Sequence, residues 1–297
     1  MAARATRSAS GAASSSDDAS RCLLLALSHD ELGVIVDGLA DPLQPLVAVA
    51  LSSTCMGLRT PLGAALEVLK QRHEKAKALG RKLDKSCAEL SGAEKLYGIG
   101  RLVAADMATL GMILRTNGLP RLRELWLDGC GLGDAGMQSL FRGLGRGAAP
   151  SLHDLSFNRF GPAGAEALAA ALRRGAMPNI EFLSLGGSPI GSQGVTALAA
   201  PLRKMPALRQ LLLSRCEIGD EGVASLFDNL GKNDFKNLKI LYLESNKITD
   251  AGVTKLLAAL DAGGLPKLVN QPYLLKGNPA SAVAVEAVKA ALVKRTH

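Results

Sequence analysis

Aliphatic residues return along this chain in two alternating rhythms. The first is an alternation by two, read in Leu125-Trp-Leu127-x-x-Cys130-x-Leu132, Leu183-x-Leu185-x-x-Ser188-x-Ile190, Leu211-x-Leu213-x-x-Cys216-x-Ile218 and Leu241-x-Leu243-x-x-Asn246-x-Ile248. A shorter copy runs Leu155-x-x-Asn158-x-Phe160, and a last one runs Tyr273-x-Leu275-x-x-Asn278. The residues at 130, 158, 188, 216, 246 and 278 form a marker series with spacings of 28, 30, 28, 30 and 32. The second rhythm follows each marker: Gly133-x-x-Gly136, Gly161-x-x-Gly164, Gly191-x-x-Gly194, Gly219-x-x-Gly222 and Thr249-x-x-Gly252 open stretches such as Val195, Leu198, Leu202 and Val253, Leu256, Leu260. Alternation by two predicts a strand and steps of three and four predict a helix, so each unit reads as strand, turn, helix.

A strand of about three residues is too short to be stable alone. Stacking of successive units supplies the missing core, with parallel strands on one side and helices on the other. The marker side chain, Asn or Cys, is placed to hydrogen-bond turn backbone from inside the stack. These residues resemble leucine-rich repeats of the ribonuclease-inhibitor type. That resemblance implies an α/β horseshoe of about six repeats over residues 104–297, with strands concave, helices convex, and a macromolecule bound on the concave side. Ser188 at a marker, the shortened approach to Asn158 and the irregular Asn270-Gln-Pro-Tyr273 depart from the pattern. Pro272 cannot donate to a ladder, which suits a closing edge strand.

A small all-α region is expected ahead of the repeats. Ser28-His-Asp-Glu31 is a capping-box sequence, with Leu27 and Leu32 as its staple, and Leu32, Ile35, Val36 and Leu39 share a face before Asp41-Pro42. With the apolar stretch Leu46–Leu51 and Cys55-Met-Gly-Leu58-Arg59, residues 26–60 resemble an F-box. That resemblance implies docking on the adaptor of a cullin-type ubiquitin ligase; the other reading of 21–60 is a helical cap for the solenoid. Residues 61–103 read as a long helical arm with Leu62, Leu66, Leu69, His73, Ala76, Leu83, Cys87 and Leu90 in one stripe, interrupted at Gly80. Residues 1–20, rich in Ala and Ser, read as a disordered leader, with an organelle transit peptide as the alternative.

Composition narrows the function. Aromatics are only 3% of a chain that is 47% hydrophobic, so the core must be aliphatic and repetitive. The net charge of +8 is concentrated between Lys70 and Lys85, where seven basic residues face Glu74 and Asp84. Without interleaved aromatics that run reads as a solvated helix face, and nucleic acid is not the expected partner. No window of about 18 apolar residues is free of charge, since Leu32–Leu51 carries Asp37 and Asp41. Five scattered cysteines, with no Cys-x-x-Cys, argue against zinc and against a disulfide framework, and with the lack of a glycosylation sequon suggest the cytoplasm or nucleus. No metal or cofactor is expected. Gly131-Leu-Gly133-Asp-Ala-Gly136, with Asp154 downstream, fits a dinucleotide fingerprint, but the same turn recurs in four other units, so the repeat explains its glycines. The histidines, His29, His73, His153 and His297, have no nucleophile in prospect, and the chain does not read as an enzyme.

The side chains between inward aliphatics should face the groove. Counted from the markers, one column is Trp126, Asp154, Ser184, Leu212, Tyr242 and Leu274, and its neighbour is Glu124, Leu152, Phe182, Gln210, Ile240 and Pro272. Exposed aromatics on a rigid surface are binding anchors, so Trp126, Phe182, Leu212, Ile240 and Tyr242, with Asp128, Asp154, Ser184 and Glu244, are the candidate partner-binding residues. Arg123, Arg209, Arg215, Lys239 and Glu181 would form a polar rim. The expected function is a protein-binding scaffold, in one version the substrate receptor of a ubiquitin ligase. Small-GTPase activators of the Ran type and nuclease inhibitors use the same repeats and supply the alternatives.

Overall fold

In a computed structural model of the protein, residues 41–46, 49–50, 56–98 and 102–295 are described. The leader at 1–20, the Ser28 capping box and most of the F-box-like stretch 26–60 lie outside them. The described residues divide into two compact units, those from 45 to 70 in the first, and 41–44 with those from 71 to 295 in the second. The second carries the sheet.

Helix α1 spans Met56–Lys82 and α2 spans Cys87–Ser91. The stripe expected to continue from Pro61 to Leu90 is therefore two helices, and the first passes through Gly80 instead of breaking there. Gly80 acts one turn later: its carbonyl accepts from the Lys85 amide at 2.9 Å, and a Cβ there would lie 2.5 Å from the Lys85 carbonyl oxygen. Ser86 and Glu89 then form a reciprocal capping box that starts α2. The basic run is partly neutralised, by Glu67 with Lys70, Glu74 with Lys77, and Asp106 with Lys82 at 2.6 Å.

Six strands of three residues each follow: β1 Lys95–Tyr97, β2 Glu124–Trp126, β3 Asp154–Ser156, β4 Phe182–Ser184, β5 Gln210–Leu212 and β6 Ile240–Tyr242. They make one parallel sheet in chain order. Between and after them run α3 Ala104–Arg115, α4 Gly133–Phe141, α5 Pro162–Arg173, α6 Gly191–Arg203, α7 Asp220–Phe227, α8 Asp250–Asp261 and α9 Ala282–Val293, each packed on the next. The central residues of the strands, Leu96, Leu125, Leu155, Leu183, Leu211 and Leu241, are all at most 1% exposed, and the residues beside them face outward. The sheet thus has one face in the core and one open, and the parallel solenoid expected from the periodicity is present.

Three corrections concern register. The sheet begins at β1, inside the segment read as a helical arm. In the third unit, β3 pairs Leu155 with Leu125 and Asp154 with Glu124. The two residues missing from that unit therefore come out of the turn after the strand, not the approach before it. Leu152 is buried with Leu122, Ile180, Leu208 and Leu238 instead of facing the groove, and Ser156, not Asp154, stands beside Trp126. In the last unit, residues 271–279 form turns and no strand. Leu274 is buried and Tyr273 is 46% exposed, the reverse of the expected alternation. The Gln271 side chain closes the sheet instead: its Oε1 accepts from the Leu241 amide, and its Nε2 donates to the carbonyls of Lys239 and Val269. Edge backbone groups left without a further strand are satisfied by a side chain.

Four of the six marker positions, Cys130, Cys216, Asn246 and Asn278, bond as expected. Asn246, 6% exposed, accepts from the amides of Cys216 and Ile218 and donates to the carbonyls of Leu213 and Leu243. Asn278 does the same work one unit on, to Ile248, Leu243 and Leu275. Cys130 Sγ donates to the Gly98 carbonyl and Cys216 Sγ to that of Leu185. Burial pushes the Cys216 thiol up to about 12, so it remains protonated and able to donate. Asn158 bonds the Gly129 amide from the surface, and Phe160 fills the interior against Phe157, itself edge-on to Phe141. Ser188 is the exception: fully buried, its hydroxyl has no hydrogen-bond partner among the described residues.

Asn246→Ala, which orphans buried amides and carbonyls of two units, should cost about 3 kcal/mol in urea unfolding, whereas Ser188→Ala, which removes no bond, should cost under about 0.5 kcal/mol. Equal losses at the two positions would contradict this account of the marker.

Candidate functional site

The open face of the sheet is built by the register. One outward column is Tyr97, Trp126, Ser156, Ser184, Leu212 and Tyr242, and the other is Lys95, Glu124, Asp154, Phe182, Gln210 and Ile240. Neighbouring strands stand about 4.8 Å apart, so each side chain touches its counterparts on either side. Trp126 is 37% exposed and Tyr97 49%. Phe182, Ser184, Leu212, Ile240, Tyr242 and Asp154 are half-buried. Asp128 and Glu244, each two residues beyond an outward position, are exposed and half-buried respectively. Seven of the nine sequence-predicted residues thus stand in these two columns, and Asp128 and Glu244 lie in the turns after β2 and β6.

Aromatic contacts gather at the β1 end. The Trp126 and Phe182 rings are nearly parallel, at 9° with centroids 6.0 Å apart, and Tyr97 meets Trp126 edge-on at 6.0 Å. Trp126 and Phe182 come from β2 and β4, so their rings reach across β3, where the small, buried Ser156 takes the place of a larger side chain. Offset stacking and edge contacts are the favoured aromatic geometries. At the other end, Leu212, Ile240 and Tyr242 form an aliphatic and aromatic patch without a ring pair.

Charge is distributed unevenly. Lys95 Nζ lies 2.6 Å from Glu124 Oε1, and the Tyr97 hydroxyl donates to Glu124 Oε2 at 3.0 Å. The Lys95 bond holds the Glu124 carboxyl below its usual range, and the Glu124 bond raises the Lys95 and Tyr97 values. Asp154 has the opposite environment. Burial raises its carboxyl first, Glu124 and Glu181 raise it further, and His153 and Lys95 oppose them. On the rim, Arg209 pairs with Glu181 at 3.0 Å.

Sequence reading missed Tyr97 and Lys95, although Leu96 lies 29 residues ahead of Leu125, within the period of the repeat. It also missed the capping of α5, α7, α8 and α9 by the unit before each. Asp134 accepts from the Gly161 and Gly164 amides at 2.7 Å each, at the start of α5. Asp220 accepts from Thr249 and Gly252 at the start of α8, and Ser192 from Gly219. Pro162 occupies the same position and cannot cap, and α6 starts without a side-chain cap. Gly131 and Gly133, read above as repeat-turn glycines, adopt φ of 61° and 59° in the turn that opens α4. His73 Nδ1 contacts the Pro42 carbonyl and His153 Nδ1 that of Ser151, so both serve the backbone.

A chain whose parallel strands and helices alternate in register is a repeat solenoid by class. A family model described as Leucine Rich repeat matches residues 119–141, 150–169, 204–227 and 236–257, each stretch holding one strand and all or part of the helix after it. These four stretches match leucine-rich repeats, and the six-stranded parallel sheet with its helices has the fold of a leucine-rich-repeat solenoid. The β4–α6 unit lies between matched stretches and keeps the same register. No curated protein matches the chain. Among the described residues no helix is long and apolar enough to cross a membrane.

The raised carboxyl of Asp154 gives a pH-dependent prediction. Its folded value lies above its unfolded value, so ionisation costs stability that is absent below the unfolded value and present in full above the folded one. Asp154→Asn should therefore melt like the parent in acid and at slightly higher temperature at neutral pH, by under about 1 kcal/mol because solvent screens the site. A stability gain that shrinks as pH rises would contradict this.

Proposed function

We propose that the protein is a binding scaffold, not an enzyme, and that it captures a partner protein on the open face of its sheet. The observation that carries this reading is the set of outward-facing rings and aliphatics, Tyr97 and Trp126 exposed and Phe182, Leu212, Ile240 and Tyr242 half-buried, held on a backbone fixed by six parallel strands. Large apolar side chains on a rigid surface lose little entropy when a partner covers them, and aromatic residues dominate interface energetics for that reason. Marker spacings of 28 to 32 residues, with a helix after each marker and with Cys130, Cys216, Asn246 and Asn278 bonding inside their turns, support the ribonuclease-inhibitor type of repeat.

The finer reading, a substrate receptor for a cullin-type ubiquitin ligase, rests on the sequence of residues 26–60 alone. Its test is a cullin adaptor that co-purifies with the intact chain and is lost when 26–60 is deleted. Stimulated hydrolysis by a small GTPase, or inhibition of a ribonuclease, would replace it with one of the alternatives.

For the scaffold reading itself, Trp126→Ala or Tyr242→Ala should weaken binding of the partner recovered by affinity purification by about 2 kcal/mol in calorimetry, with little change in melting temperature. A loss of stability as large as the loss of affinity would make these rings part of the core and overturn the reading.

A further inference from the structure

The two outward columns carry two carboxylates, Glu124 and Asp154, against one cation, Lys95. Lys95 is committed to Glu124. The carboxylate of Asp154, between Glu124 and Phe182 in the register, has no salt bridge or hydrogen bond among the described residues. It stands one strand from the Phe182 ring, which is stacked on the only tryptophan of the chain. A carboxylate that is half-buried and unpaired costs solvation, and that cost is recovered when a cation meets it. An aromatic face beside it attracts the same cation through its quadrupole.

From this arrangement we infer that the β1 end of the face is a seat for a basic side chain, arginine above all, presented by the partner protein. A guanidinium is planar and weakly hydrated, so it can lie against the Trp126 and Phe182 rings while its N–H groups bond Asp154. A lysine ammonium would meet the carboxylate but would stack less well. The aliphatic end, Leu212, Ile240 and Tyr242, then covers the neighbouring apolar part of the same partner. This inference rests on the sheet face being the binding surface and adds the chemistry of what it recognises.

Trp126 is the only tryptophan, so the tryptophan emission of the full chain reports on this seat alone. Titration with an acetylated tetra-arginine amide should give a saturable change in that emission. The tetra-citrulline peptide, of the same shape without charge, should bind at least about tenfold more weakly, and tetra-glutamate should give no change. Asp154→Asn and Phe182→Leu should each weaken the arginine peptide by about tenfold, with unchanged far-UV circular dichroism, and 300 mM salt should weaken it further. A flat titration, equal binding of arginine and citrulline peptides, or an Asp154→Asn protein that binds as tightly as the parent would overturn the inference. Its failure is separable from that of the scaffold reading. A partner lost on Trp126→Ala but retained by Asp154→Asn removes the basic seat and keeps the binding face. A partner retained by both Trp126→Ala and Tyr242→Ala removes both.

Discussion

Each repeat bends its backbone from a strand into a helix, and in that turn amides and carbonyls leave the ladder while remaining inside the protein. The bonds made there by marker side chains are the constraint on which the rest depends. Asn246 joins the turns of two units through two accepted and two donated bonds, and it can do so only when the second unit stacks on the first with no slip. A buried amide or carbonyl without a partner costs about as much as several exposed contacts gain, so the marker fixes register more strongly than the three-residue strands could. The helix side obeys the same rule by other means. Asp134, Ser192, Asp220 and Asp250 each bond the next unit's backbone at or just before its helix, and Arg174 caps carbonyls of the unit before it.

Fixed register turns sequence into surface. Because Leu125 lies beside Leu155 and Leu183, the residues flanking them line up into columns, and the properties of the open face are those of the columns. The ring pair of Trp126 and Phe182 exists because the intervening strand presents Ser156, small and buried, between them. The unpaired Asp154 exists because the same strand places a carboxylate next to Glu124, whose own charge is met by Lys95. The burial that raises the Asp154 carboxyl makes its ionised form unfavourable in the folded protein.

Much of this was legible in the sequence. The period, the strand and helix of each full unit and the bonding role of the markers follow from the spacing of leucines, glycines and asparagines. The groove columns were legible in the second, fourth, fifth and sixth strands for the same reason. The third unit was not, because a two-residue deletion can be placed before or after a strand without changing the marker spacing, and only pairing decides which. Placing it wrongly put Asp154 in the column of Trp126 and Leu152 in the groove. β1 escaped because residues 95–97 follow a different helical segment. The last unit escaped because Gln271 ends the sheet through its side chain, which leaves no periodic trace. Capping by Asp134 and Asp220 was hidden because those side chains serve the helix of the next unit, some 30 residues away, while sequence rules look for caps within the same helix.

The central claim is that the partner sits on the sheet side and not on the helices. A photo-crosslinking residue at Ser184, in the middle of the open face, should join the partner covalently, whereas the same residue at Glu166 or Thr254, on the helices α5 and α8, should not. Crosslinking from Glu166 or Thr254 with none from Ser184 would contradict the account.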